Sequence, residues 1–286
     1  MPALLRWVCM LWLMPTNMKE NRLHTNAPAV EMNASTADAF DSAAAHRFTE
    51  AIAKVEADRL REGIGTLGEK TLHAVLKHFY QPDLAYHEQK IGSYFADIAK
   101  DGEIIEIQTR DLYRLKKKIA AFLEMGYRVR VVHPVPRNRK IYWIDSEGNL
   151  SDGRKSPKTG RPHTAAPELA SLDSLIGKPG LSFTVLLLDV EDFRNLDGWG
   201  RGGKRGSSRF ERMPLAYVEE VHLSTPEDWR ALLPVGLPSP FTAAEFNKKG
   251  GYSPRRGYYA LRLFVEFGMI RRIGSKGKAF LYELVK

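Results

Sequence analysis

The chain has 286 residues, 43% of them hydrophobic and 10% aromatic, enough to bury a sizeable core and unlike a disordered or fibrous composition. Its formal net charge is +9 at pH 7 with a pI of about 9.5, a balance that suits a polyanionic partner. One cysteine, Cys9, excludes an internal disulfide and a cysteine-based zinc site, and a reducing cytoplasm is the default location.

The apolar run "LLRWVCMLWLM" at the N-terminus is too short to span a bilayer and lacks a clean A-x-A cleavage site. It reads as an untranslated or disordered leader with Met18 or Met32 as alternative starts, a signal peptide being the competing reading. Residues 17–45 are rich in Asn, Ala, Thr and Ser and read as linker, so that residues 1–45 form the expected disordered leader.

Residues 46–62 predict a charged amphipathic helix, broken by Gly63 and Gly65. A second helix follows in "TLGEKTLHAVLKHFY", where Leu72, Val75, Leu76 and Phe79 fall at i, i+3, i+4 and i+7. Three β-like segments are expected near 86–91, 93–99 and 103–108. A helix follows over about Leu112 to Met125, with Leu115, Ile119, Phe122 and Leu123 facing inward. "YRVRVVHPV" and "RKIYWID" predict two further strands. The order α-β-β-β-α-β-β makes residues 46–150 an α/β core.

Residues 151–239 read as an extension of that core. Pro, Gly, Lys and Arg crowd residues 151–163, a loop signal. "LSFTVLLLDVEDF" predicts a buried strand whose Asp189, Glu191 and Asp192 are expected at its solvated end. "GWGRGGKRGSSRFER" predicts a flexible basic loop; its G-x-G-x-x-G match precedes no helix and is set aside, as is the P-loop-like "GIGTLGEKT", where Glu69 separates Gly68 from Lys70.

Residues 240–286 differ in character. Thr242-x-x-Glu245 is a capping box opening a short helix. Ser253-Pro254 opens a second helix with Tyr258, Leu261, Phe264 and Val265 as its expected buried face. "MIRRIGSKGKAFLYEL" then predicts a hairpin tipped by Gly274-Ser275-Lys276-Gly277. From Lys248 to Lys286 there are ten Lys/Arg against two Glu, so most of the net charge sits here.

The segment with the most chemistry is "YFADIAKDGEIIEIQTRD", residues 94–111. Asp101-Gly102 is a type I′ turn signal. With those two residues in the turn, Lys100 pairs with Glu103, Ile98 with Ile105, and Asp97 faces Glu106 with Gln108 on the same side. Opposed acids repel, so such a pair is either solvated at an edge, singly protonated, or bridged by a divalent cation. Glu69 is a third acid, equally readable as the N3 residue of a Thr66-x-x-Glu69 capping box and as a contributor to the pair's site.

Glu69, Asp97 and the tripeptide Glu106-Ile107-Gln108, in this order and on these elements, resemble the PD-(D/E)xK nuclease superfamily over roughly Leu67 to Trp143. The resemblance implies a restriction-endonuclease-like mixed sheet flanked by helices. It further implies Mg²⁺ (or Mn²⁺) held by Asp97 and Glu106, with Glu69 direct or through water, and hydrolysis of phosphodiester bonds. Ala96 stands where the name-giving proline would be. Gln108 replaces the family's lysine, keeping hydrogen bonding but losing the charge. A lysine from the following helix is the implied substitute, with Lys117 the residue selected from Lys116, Lys117 and Lys118; a solvated helix face is the competing reading of that run. More narrowly, the chain looks like a widespread bacterial family without an assigned function.

Residues 240–286 resemble a winged helix. That likeness implies Arg255, Arg256 and Arg262 at a DNA groove or its phosphates, and Lys276 and Lys278 on the backbone; protein contact or dimerisation is its competing use. The expected function is a metal-dependent DNA nuclease with its own DNA-binding domain. A degenerate, non-cleaving DNA-binding or regulatory protein is the alternative, and an RNA-directed or protein-interaction role ranks third. The expected partner is nucleic acid, DNA first, with no membrane and a homodimer as the candidate assembly.

Overall fold

The computed structural model describes residues 36–62, 70–198 and 207–285. The apolar leader, the Gly63/Gly65 break, the Thr66–Glu69 capping box and the glycine-rich centre of the basic loop lie outside the described residues. The chain divides into two compact units. One comprises Met1–Phe79, Arg139–Pro157 and Val190–Ala216, the other Tyr80–Asn138, Lys158–Asp189 and Tyr217–Lys286.

In the first unit, helix α1 (Thr36–Glu62) opens ahead of the expected start at His46. Residues 36–45 are helix rather than linker, because "AAA" before His46 favours helix as strongly as any sequence can. Ala44, Phe48, Ala51 and Val55 are buried along one stripe of α1. Helix α2 (Thr71–Tyr80) buries Leu72, Val75, Leu76 and Phe79 as its spacing predicts. The Phe48 and Phe79 rings meet edge to face with centroids 5.4 Å apart.

The main sheet has the strand order β1-β2-β3-β4-β6-β7, with β5 added beside β4. Its strands are β1 (His87–Ile91), β2 (Tyr94–Lys100), β3 (Glu103–Ile107), β4 (Arg128–Ile144), β5 (Arg154–Lys155), β6 (Leu181–Asn195) and β7 (Ser208–Leu223). β1, β2 and β3 form an antiparallel meander, whereas β4 runs parallel to β3 with Glu103 opposite Arg128 and Glu106 opposite Val131. A parallel neighbour needs a crossover. It is supplied by a 3₁₀ turn over Leu112–Leu115 and helix α3 (Lys116–Glu124), with Leu112, Leu115, Ile119 and Phe122 buried.

Two strands were expected where β4 is one, since Pro134 and Pro136 interrupt neither its extended backbone nor its pairing to β5. β7, a strand of 16 residues, takes in Ser208–Arg212, the last five residues of what reads as a basic loop. Its presence changes the acids of β6: the strand continues past them to Asn195, and Asp192 is fully buried instead of solvated. Asp189 accepts from the Asn138 amide at 3.0 Å and Glu191 from the Tyr142 hydroxyl at 3.0 Å.

The C-terminal segment of the second unit contains β8 (Phe241–Thr242), α5 (Ala243–Gly250), α6 (Pro254–Glu266), β9 (Ile270–Lys276) and β10 (Ala279–Leu284). Helix α4 (Ala166–Leu169) precedes it in the chain. β8, β10 and β9 form a small antiparallel sheet in that order. The Thr242/Glu245 capping box is present, with Glu245 N donating to Thr242 Oγ1 and Thr242 N to Glu245 Oε2. Gly257, Ala260, Leu261, Leu263 and Phe264 are the buried positions of α6, while Tyr258 is 60% exposed. The phase is set by Gly257, where a Cβ would fall 1.6 Å from Asn247 Oδ1 of α5, a closeness only glycine permits. The hairpin turns at Gly277-Lys278, one step beyond the expected tip, since Lys276 pairs with Ala279. Phe241, Phe246, Leu263 and Phe264 belong to the same contiguous core as Ala96, Ile104, Val129 and Phe183.

Candidate functional site

The Asp101-Gly102 turn places the site. Both residues have positive φ, 49° and 75°, as a type I′ turn requires. The pairs Lys100–Glu103, Ala99–Ile104 and Ile98–Ile105 follow from it. One step further the two acids meet through their side chains. Ile107 N donates to Asp97 Oδ2 at 2.7 Å, and Asp97 N donates to Glu106 Oε1 at 3.3 Å. Each carboxylate thereby replaces a strand-to-strand backbone bond and stays fixed against the hairpin.

The site's cation comes from α3. Lys118 Nζ lies 2.5 Å from Glu106 Oε2, with the lysine side chain 17% exposed and the glutamate 1%. Lys117 points to solvent and makes no contact with either acid; Lys116 pairs with Asp173 at 3.0 Å. Burial, then the charge of Asp97, push the Glu106 carboxyl up to about 7, with Lys118 pulling the other way. Near neutral pH, Glu106 is therefore poised between its two protonation states.

Gln108 extends from the end of β3. Its N donates to Val132 O at 3.0 Å and its carbonyl accepts from His133 Nδ1 at 2.8 Å, which fixes the proton on that nitrogen. The Gln108 side chain has no hydrogen-bond partner among the described residues. Burial holds His133 below the ordinary histidine range, so it is a neutral backbone clamp. Glu69 lies outside the described residues. Among the described residues no group of three or more His, Cys, Asp or Glu side chains converges to hold a metal ion. Asp97 and Glu106 offer oxygen donors only, the chemistry that a hard divalent cation accepts, and a cation would relieve their mutual repulsion.

The basic residues of the C-terminal segment fall into two groups. Arg255, Lys276 and Lys278 are exposed. Arg256 and Arg262 instead face acids of the same unit: Arg256 is 3.7 Å from Glu168, which also accepts from Asp111 N at 3.2 Å, and Arg262 is 2.5 Å from Asp173. Arg262 also pairs with Glu266 at 3.2 Å. The charge spacing of α6 alone could not reveal these partners, because Glu168 and Asp173 are some ninety residues earlier in the chain. Among the described residues no helix is long and apolar enough to cross a membrane.

These elements define a mixed α/β protein in which a buried carboxylate pair on a hairpin is closed by a lysine from the crossover helix. The chain belongs to the family described as "Domain of unknown function (DUF8091)", whose model matches residues 70–224 and so includes Asp97, Glu106 and Lys118. It is 27% identical over 227 residues to an "Uncharacterized protein" of Treponema pallidum (strain Nichols), a match covering 77% of this chain and 87% of that relative. No solved structure matches.

Proposed function

We propose that the chain is a DNA-binding, Mg²⁺-dependent nuclease of the restriction-endonuclease-like type, with Asp97, Glu106 and Lys118 at its centre. The carrying observation is the contact of Lys118 with Glu106, itself hydrogen-bonded to Asp97 N, on a hairpin followed by a crossover helix and a parallel strand. The chain order α2-β1-β2-β3-α3-β4 supports the reading, as does the antiparallel–antiparallel–parallel pairing of those strands. The missing positive charge at Gln108 is then restored from Lys118 rather than Lys117.

Asp97 and Glu106 would hold Mg²⁺ or Mn²⁺, with Glu69 the candidate third acid. A bound Mg²⁺ supplies a lowered pKa for water and charge neutralisation at the phosphate. Lys118 favours the ionised form of Glu106 against its burial and would present a cation to the attacking water or the phosphate. Gln108, its amide free of other partners among the described residues, is placed to orient that water. The helix pair α5–α6 with the β9–β10 hairpin has the element order of a winged helix, and exposed Arg255, Lys276 and Lys278 would contact DNA. The convergence of only two carboxylates among the described residues favours a second reading, a DNA-binding protein that no longer cuts.

Incubating supercoiled and linear DNA with Mg²⁺ separates the two. Cleavage should occur with the wild type and vanish with Asp97→Ala and Glu106→Ala, while both variants still bind DNA. Equal cleavage by all three, or binding without any cleavage by the wild type, overturns the nuclease reading.

A further inference from the structure

Exposed aromatic rings collect in the C-terminal segment. Among the described residues the exposed Phe, Tyr and Trp side chains are Phe95, Tyr113, Tyr258, Tyr259 and Phe280, and three of these five stand within residues 240–286. A lone exposed ring needs no explanation, but three in the most basic stretch of the chain form a pattern. On α6, Arg255, Tyr258 and Tyr259 fall at i, i+3 and i+4 and share one face, away from the buried Gly257, Ala260, Leu261 and Phe264. The two tyrosine rings meet edge to face with centroids 5.6 Å apart.

The β9–β10 hairpin carries the third ring with a cation laid on it. Ser275 pairs with Phe280 and Gly274 with Leu281, but Tyr282 then pairs with Arg272, which makes Ile273 the extra residue of a β-bulge. Directly opposed residues share a face. The bulge therefore puts Arg272 on the face of Phe280 and Tyr282; an unbroken ladder would have set it opposite Glu283, where Arg271 now stands. Arg272 rests on the Phe280 ring, its guanidinium carbon 3.4 Å from the centroid. Nearer the base of the hairpin Tyr282 stacks on Phe241 of the core, whereas Phe280, two residues closer to the tip, is 47% exposed. Lys276 and Lys278, both exposed, flank the turn.

The surrounding charge names the partner. Both glutamates of residues 248–286 are engaged, Glu266 with Arg262 at 3.2 Å and Glu283 with Arg271 at 2.6 Å. Ten basic residues against those two acids leave a strongly positive segment, which a phosphodiester chain complements. Bases in a duplex turn their faces to one another, so only unpaired bases can meet a protein ring face to face. We propose that the C-terminal segment binds single-stranded DNA, with unpaired bases stacking on the Phe280–Arg272 platform and on Tyr258 and Tyr259, and with Arg255, Lys276 and Lys278 on the phosphates. The inference rests on the reading of this segment as DNA-binding and adds the form of DNA that it takes.

Fluorescence anisotropy of the full chain, with one labelled oligonucleotide either single-stranded or annealed to its complement, tests it at fixed salt. Charge alone favours the duplex, whose phosphates are denser. Stacking should offset this, so that the wild type binds the single strand at least as tightly. Phe280→Ala should weaken single-strand binding about tenfold, equivalent to ~1.4 kcal/mol and in the range of one base stacked on a ring, with duplex affinity nearly unchanged. Phe280→Trp should bind like the wild type, and Phe280→Leu, which keeps apolar area without a ring, should bind like Phe280→Ala. A 2-aminopurine base in the single strand should be quenched by the wild type and less so by Phe280→Ala. Tighter duplex binding together with single-strand affinity unchanged in all three variants overturns the stacking surface and leaves the DNA-binding reading standing. Wild-type affinity in Phe280→Leu alone assigns the ring to plain apolar contact and overturns it as well. A folded wild type that binds neither form of the oligonucleotide overturns both.

Discussion

Lys118 Nζ sits 2.5 Å from Glu106 Oε2, linking the crossover helix to a glutamate that is 1% exposed. The contact is what allows an acid pair to persist on a buried hairpin: Asp97 repels the Glu106 charge, and Lys118 attracts it. Removing the lysine leaves only the Asp97 backbone N–H to offset the acid's burial and its like-charged neighbour.

Lys118→Met should therefore lower DNA cleavage by roughly a hundredfold or more, on the order of 3 kcal/mol for breaking one buried charge contact. The acid limb of the pH–rate profile should move to higher pH in the same variant, because Glu106 becomes harder to ionise. Lys117→Met should stay within about twofold of the wild type. Single-turnover rates on one oligonucleotide measure all three.

The raised Glu106 carboxyl makes stability depend on pH. A carboxyl whose folded pKa lies above its unfolded value binds its proton more tightly in the folded state. The stability this gives is complete below the unfolded value and is lost as pH rises to about 7. Over that window the wild type should lose on the order of 3 kcal/mol relative to Glu106→Gln. Urea denaturation at pH 5 and pH 8 compares the two; parallel behaviour would show that Glu106 ionises normally.

Gly160 sits where a Cβ would fall 2.2 Å from the Pro136 carbonyl oxygen, a backbone atom that cannot rotate away. Its N donates to Arg137 O at 2.9 Å, so the segment that reads as linker is seated on β4. Gly160→Ala should destabilise the chain by about 2 kcal/mol, as overpacking does. A change under about 0.5 kcal/mol in the denaturation midpoint would mean the segment moves freely.

The arginines of α6 should separate by what they already touch. Arg255→Ala and Lys278→Ala should each reduce the slope of log affinity against log salt by about one phosphate contact. Arg262→Ala should leave that slope nearly unchanged and reduce stability by no more than about 1 kcal/mol, since its partner Asp173 is itself partly exposed.

How legible this was depended on where each residue's partner lies in the chain. Asp97 and Glu106 could be placed because a two-residue turn converts register into arithmetic, and the pairs Lys100–Glu103, Ala99–Ile104 and Ile98–Ile105 of β2 and β3 obey it. Lys118 could not be chosen over Lys117, because the 3₁₀ turn at Leu112–Leu115 resets the phase with which α3 leaves β3. Asp192 was misplaced for a related reason. Its partners Arg209 and Arg212 come from β7, a strand hidden behind a glycine-rich basic run and interrupted by Pro214. On α6, Tyr258 fits a helical apolar stripe, but close packing at Gly257 turns the stripe by one position. Local signals were readable; partners contributed by distant segments were not.

The most direct test of the central claim is a titration of the full chain with Mn²⁺, followed by electron paramagnetic resonance at pH 8, where Glu106 is ionised. One ion should bind per chain, with affinity falling by at least tenfold in Asp97→Ala and in Glu106→Ala. Mn²⁺ binding that is absent from the wild type, or unchanged in both variants, would contradict a divalent cation held between Asp97 and Glu106.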